Sequence, residues 1–220
     1  MIESLSIETP THGRVLVERS SNPSAAGWLV AFHGYGQSAD DALADVSRIP
    51  DVGRWHVAAV QALNRFYTRN DEKIVASWMT RQDREHAISD NVTYVDRVVS
   101  QLLVTAAAPR VVFAGFSQGV AMAYRAATIG RHEAAGIIAL GGDMPPELRT
   151  VALSRAWPRV LIGAGDAETW YTEAKVQADV AALQSLGVTL EIVRYRGGHE
   201  WTDEFRAAAG RWLKELKSTP

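Results

Sequence analysis

Seven short apolar runs punctuate the chain, and amphipathic stretches lie between them. The runs at 14–19, 28–33, 56–60, 110–115, 136–140, 159–164 and 190–195 are rich in Val, Ile, Leu and Ala. Several are apolar at every position, as strands covered on both faces must be. The intervening stretches 39–47, 88–104, 118–129, 171–186 and 201–216 carry apolar residues at helical spacing. Val92, Val95, Val99, Leu102 and Leu103 form one such stripe; Phe205, Ala208, Ala209, Trp212, Leu213 and Leu216 form another. Strand alternating with helix predicts an α/β fold with a mainly parallel central sheet, helices on both faces and right-handed crossovers.

The segment 64–84 does not fit this alternation. It is long and polar, yet it contains Phe66, Tyr67, Trp78 and Met79. Twenty-odd structureless residues inside a compact domain are unusual, so the segment reads as a surface excursion folding back toward a site. Its apolar residues could equally line a homodimer contact.

Length and composition narrow the picture further. The 220 residues fit one domain spanning 1–220, and no Pro/Ser/Gly-rich linker divides them. At 47% hydrophobic and 22% charged, the chain is globular rather than disordered. A net charge of −2 supplies no electrostatic footprint for nucleic acid or an anionic membrane. With no cysteine there is no disulfide framework, thiolate metal site or Cys nucleophile. The start carries no basic, apolar leader and no window approaches the roughly 20 apolar residues of a membrane span. A cytoplasmic protein with no membrane insertion is expected.

The candidate chemistry begins at Gly115-Phe116-Ser117-Gln118-Gly119. This G-x-S-x-G follows a strand and opens a helix of small residues, the setting a nucleophile elbow requires. An ordinary strand–helix turn with Ser117 as helix N-cap is the plainer alternative. A serine nucleophile needs a base and the base an orienting acid. In the chain order of such hydrolases, His199 follows the strand 190–195 and Asp166 follows the strand 159–164. Both then reach the same sheet edge as Ser117. Asp143, after the strand 136–140, is the rival acid, although Pro145-Pro146 suggests a rigid substrate-side loop there. The remaining histidines have no motif around them, and His33 is expected to hold its loop by hydrogen bonds. The loop His33-Gly34-Tyr35-Gly36 sits where the second half of an oxyanion hole belongs, with the Tyr35 N–H as donor opposite that of Gln118.

The motifs FHGYGQS at 32–38, GFSQGVAMA at 115–123, GAGD at 163–166 and GGHEW at 197–201 occur in an order spanning nearly the whole chain. On them the chain resembles the α/β-hydrolase superfamily, and within it the phospholipase/carboxylesterase group that includes acyl-protein thioesterases. The resemblance implies Ser117 as nucleophile with Asp166 and His199, and the Tyr35 and Gln118 amides as oxyanion hole. Trp78 resembles a tryptophan lining the acyl site of that group. Thr169 stands where a valine is common after the acid, and Met79-Thr80 where Phe/Tyr-Asp commonly follow the tryptophan.

The expected activity is hydrolysis of carboxylic esters or thioesters through an acyl-enzyme, without metal or organic cofactor. The expected partner is a small acyl ester, with no nucleic acid. No cap domain fits in the chain, so short to medium acyl groups are expected in an open cleft edged by Trp78, Met79, Phe66 and Met144. Lysophospholipase, acyl-protein thioesterase, acyltransferase and peptidase chemistry are the alternatives on the same scaffold. A non-catalytic binding module would show a broken triad.

Overall fold

The computed structural model describes residues 1–69, 72–104, 110–150, 153 and 155–218, with residues 217 and 218 by backbone only. In chain order the elements are β1 (Arg14–Glu18), β2 (Trp28–Phe32), α1 (Ala39–Val46), β3 (His56–Gln61), β4 (Asn64–Tyr67) and β5 (Ile74–Ser77). Then follow α2 (Arg84–Leu103), β6 (Val111–Phe116), α3 (Gln118–Thr128), β7 (Gly136–Leu140), β8 (Arg159–Gly165), α4 (Glu173–Ser185), β9 (Leu190–Tyr195) and α5 (Asp203–Ser218). Seven strands form one sheet in the order β1-β3-β2-β6-β7-β8-β9. Only β1 runs antiparallel to its neighbour, β3.

Pleating explains why the central strands are apolar throughout. Trp28, Val30 and Phe32 of β2 enter one core with Val95 and Val99 of α2, Met122 and Ala126 of α3, and Val176 and Leu183 of α4. Leu29 and Ala31 point the other way, into a second core with Val46 of α1 and Phe205, Trp212 and Leu216 of α5. Both faces are therefore dry, and every residue of β2, β6 and β7 is buried. Local signals set the helix entries: Ser38 caps α1 and exchanges hydrogen bonds with Asp41 in a capping box.

The segment 64–84 is not the structureless excursion its polar sequence suggests. Its first part is the hairpin β4–β5, two antiparallel strands outside the main sheet. All four residues of β4 are exposed, so no inward–outward alternation marked it as a strand. Residues 70 and 71 of that segment lie outside the described residues. Backbone bonds from Gly36 N–H to the Ala76 carbonyl (3.0 Å) and from Ala76 N–H to the Gln37 carbonyl (2.8 Å) fasten the hairpin to the loop after β2. Among the described residues, no helix is long and apolar enough to cross a membrane.

The register aligns the carboxyl ends of the strands. Phe32 lies opposite Gly115, Phe116 opposite Leu140, Leu140 opposite Gly163 and Gly165 opposite Tyr195. The loops after β2, β6, β7, β8 and β9 consequently emerge along a single edge, where open α/β sheets bind ligands.

Candidate active site

Ser117 occupies the turn between β6 and α3 with φ 53° and ψ −120°, a conformation an L-residue enters only under constraint. The constraint comes from its flanking glycines. A Cβ at Gly115 would stand 2.4 Å from the Gly119 carbonyl oxygen, and one at Gly119 only 2.2 Å from that of Phe32. Strand and helix approach so closely that nothing larger than hydrogen fits, and Ser117 is pushed out at the crest. Its hydroxyl makes no capping hydrogen bond, and its backbone is far from N-cap geometry, so the plain helix-cap alternative falls away. The Gln118 N–H, first in α3, is one of the helix's donors without an intrahelical acceptor.

The loop after β2 faces this turn. A Cβ at Gly34 would lie 3.2 Å from that of Ser117. Most of the loop's amides are occupied: Gly34 by Gln37 Oε1, Gly36 by Ala76, Gln37 by Gly34, Ser38 by Asp41 and Ala39 by Gln61. Among the described residues the Tyr35 N–H is the one from 34 to 39 with no protein acceptor. His33 holds the loop from below. Ala62 N–H donates to Nε2 (3.1 Å), which fixes the proton on Nδ1, and Nδ1 donates to the Gly34 carbonyl (2.7 Å). Burial holds this imidazole's pKa below the ordinary histidine value, against a smaller opposing pull from its bond to Gly34.

The carboxylate that meets the histidine differs from the expectation. His199 Nδ1 lies 2.7 Å from Glu168 Oε2, not against Asp166. Asp166 instead accepts the Gly197 N–H at 3.0 Å, tying the acid loop to the histidine loop. Asp143 pairs with Lys175 at 3.8 Å, away from the ring. The extra methylene and two further residues of loop bring Glu168 to the imidazole, while Asp166, at the strand's end, is turned toward the neighbouring backbone. The Glu168 side chain is 1% exposed. Burial alone would raise its pKa. The hydrogen bonds from His199 and the Trp170 N–H (2.7 Å to Oε1) outweigh that and hold the carboxyl below its usual range. The ring of His199 also packs on Phe116, centroids 4.8 Å apart.

The residues expected to edge an acyl cleft divide. Trp78 is fully buried in the core, its indole N–H donating to the His33 carbonyl at 2.9 Å and its ring edge-on to Phe32. Met144 is buried too, because its N–H is drawn to the buried Asp179 carboxylate (2.8 Å), which also takes Tyr171 and Arg149. Neither edges an open cleft. Phe66 remains at the surface on the hairpin, 5.7 Å from the Tyr35 ring, and Met79 is half-buried. The Gln118 side chain accepts Trp78 N–H (2.9 Å) and donates to the Met79 carbonyl (3.1 Å), lacing the helix start to the end of β5. Sequence reasoning missed Glu168, although a second carboxylate two residues beyond Asp166, on the same post-strand loop, was the available signal. Among the described residues no group of His, Asp and Glu side chains is arranged to hold a metal ion.

Comparison with known proteins follows this geometry. A family model described as phospholipase/carboxylesterase matches residues 13–162, which include the β2 loop and the elbow. Among solved structures, the esterase PE8 superposes with a TM-score of 0.75 at 21% identity, covering 94% of this chain and 100% of that one. The Bacillus cereus carboxylesterase gives 0.72 at 17% identity, covering 93% and 94%. Acyl-protein thioesterase 2 of Zea mays gives 0.72 at 18%, covering 94% and 100%. These likenesses establish a shared α/β-hydrolase fold. No curated protein matches the chain.

Proposed function

Because the chain belongs to the phospholipase/carboxylesterase family of ester hydrolases, we propose that it cleaves acyl esters by a serine mechanism in which Ser117, His199 and Glu168 act together. Ser117 Oγ attacks the acyl carbonyl carbon as His199 Nε2 takes its proton. Glu168 accepts the Nδ1 hydrogen bond, holds the required tautomer and stabilises the imidazolium. The N–H groups of Tyr35 and Gln118 receive the carbonyl oxygen as it becomes an oxyanion. The C–O bond to the leaving group breaks, and His199 returns the proton to the departing alcohol. Water, deprotonated by the same nitrogen, attacks the acyl-enzyme, releasing the acid and restoring the serine.

The observation that carries this reading is the Ser117 hydroxyl, free of any helix-capping bond at a strained turn, on the sheet edge that also presents the 2.7 Å His199–Glu168 pair. Asp166 enters as the residue that fastens the two loops. With Trp78 and Met144 buried, Phe66 and Met79 are what is left of the four residues expected to edge the cleft. Such a rim covers few methylenes, each contributing about 0.8 kcal/mol, so short to medium acyl chains are the substrate class. The same chemistry accepts a thioester.

The test is Ser117→Ala assayed on p-nitrophenyl acetate, with a fluorophosphonate probe on the unaltered protein. A loss of at least about a thousandfold in kcat, with Tm preserved and labelling confined to Ser117, is expected. Turnover persisting in the variant would point to another nucleophile and end the proposal.

A further inference from the structure

The loop after β7 meets the acid–base pair at Gly141. Its φ is +65°, in the left-handed region, and its N–H donates to the Gly163 carbonyl at 3.1 Å. A Cβ built there would lie 3.1 Å from His199 Nδ1, 3.2 Å from Cε1 and 3.4 Å from Glu168 Oε2. Two of those three atoms are the ends of the 2.7 Å hydrogen bond itself. The two His199 contacts are tighter than nine in ten that real Cβ atoms make, so the imidazole would have to give way, whereas 3.4 Å to Glu168 is ordinary van der Waals contact. Neither neighbour moves freely. The other Glu168 oxygen is held by Trp170 N–H at 2.7 Å, and the imidazole lies against Phe116.

Resting on the serine-hydrolase reading above, we propose that Gly141 is a positioning residue for the reaction: its missing side chain leaves the space in which the imidazole sits to meet the Glu168 carboxylate. Positions 141 and 168 are then a matched pair. A methyl group at 141 displaces the imidazole by a few tenths of an ångström and lengthens the bond from Nδ1 to Glu168. An aspartate at 168 stops short of the ring, so the bond that the methyl would lengthen is already lost.

The test uses Gly141→Ala and Glu168→Asp, singly and together, with Gly187→Ala as control. Gly187 has φ +70° and nothing within 4 Å of an added Cβ, so its alanine carries the same backbone strain without a neighbour. The readouts are Tm, the pH profile of kcat/KM on p-nitrophenyl acetate, and the downfield proton resonance of the imidazole N–H bonded to the carboxylate. Gly141→Ala is expected to lower kcat about tenfold at little changed KM, displace the acid limb of the profile and shift the resonance. Gly187→Ala should lower Tm while leaving profile and resonance in place. In the Glu168→Asp background, Gly141→Ala should cost less than about threefold.

Gly141→Ala that behaves like Gly187→Ala, or an equal loss in both backgrounds, would overturn the proposal. Should Gly141→Ala fail to fold, Glu168→Asp alone decides: a weakened resonance supports the pairing, and full rate with an unchanged resonance refutes it. The resonance requires no turnover, so a wild-type protein without Ser117-dependent hydrolysis would end the functional reading and leave this test intact.

Discussion

On the elbow side of the site, a methyl added at Gly119 would stand 2.2 Å from the Phe32 carbonyl oxygen, whereas one at Gly198, beside the histidine, meets only the Ala167 carbonyl at 3.7 Å. The elbow is shaped by backbone running against backbone, which permits one residue type and leaves little choice of geometry. The acid side is shaped by side-chain reach. A Cβ at Gly165 would likewise stand 2.2 Å from the Gly197 carbonyl oxygen, so the β8 and β9 loops run close together there. That contact does not decide which carboxylate meets the ring. Asp166 and Glu168 share one loop, and hydrogen bonds to Gly197 and Trp170 sort them. Backbone-determined sites are written in residue identity; side-chain-determined ones are settled by a rotamer and a methylene.

Exchanging the two carboxylates for amides is the sharpest way to break this comparison. Glu168→Gln should lower kcat roughly 10³–10⁴-fold at neutral pH, since the amide can favour the wrong imidazole tautomer. Asp166→Asn keeps an acceptor for the Gly197 N–H and should lose no more than about tenfold. Steady-state kinetics on one short ester compares them directly. If Asp166→Asn proves the more damaging change, the hydrogen bond at His199 Nδ1 is not the working one, and side-chain reach was the wrong principle for this side.

The same division governs what could be read in the sequence. The apolar runs located all seven strands of the main sheet, the central ones because burial on both faces leaves no other composition, and β7 and β9 agree to the residue. The elbow and the β2 loop were legible because their glycines are obligatory. The hairpin was not, since β4 is exposed at every position and its anchoring to Gly36 and Gln37 is a tertiary event. Nor was α2's start at Arg84, four residues before its apolar stripe begins at Ile88. The family resemblance suggested a substrate wall at Trp78, but its indole N–H had a carbonyl to satisfy at His33, and that drew it into the core. Glu168 was passed over because a GAGD motif draws the eye to Asp166, while the decision rests on hydrogen bonds two residues further along.

A second contrast probes stability rather than chemistry. Alanine is the better helix former by about 1 kcal/mol, so an exposed helical glycine normally tolerates it. At Gly119 the added methyl instead meets the Phe32 and His33 carbonyl oxygens at 2.2 and 2.7 Å, with no flexible side chain to yield. Gly119→Ala should lose about 3 kcal/mol or more, and Gly198→Ala no more than about 1 kcal/mol. Urea unfolding of both variants measures the difference. Equal losses would mean that the elbow relaxes, and that close backbone approach is not what fixes Ser117.

The smallest expected effect concerns pH and lies beneath the oxyanion loop. His33 is 1% exposed and held as the neutral tautomer, with Nε2 accepting from Ala62 and Nδ1 donating to Gly34. Protonating Nε2 would set a donor against the Ala62 N–H. Burial therefore keeps the folded-state pKa below the unfolded value of about 6.5. For a base lowered in this way the unfolded chain takes up the proton first. The stabilisation is complete above about pH 6.5, falls as pH drops toward the folded pKa, and levels off below it. His56, also lowered by burial, adds to the slope in the same direction. Tm recorded from pH 8 to pH 5 should decline on the acid side, and His33→Gln should decline less steeply whatever its own Tm. The slopes are compared because the substitution itself removes buried hydrogen bonds. A variant slope as steep as that of the unaltered protein would place the acid sensitivity elsewhere, and would make the neutral imidazole incidental to the loop that presents the Tyr35 N–H.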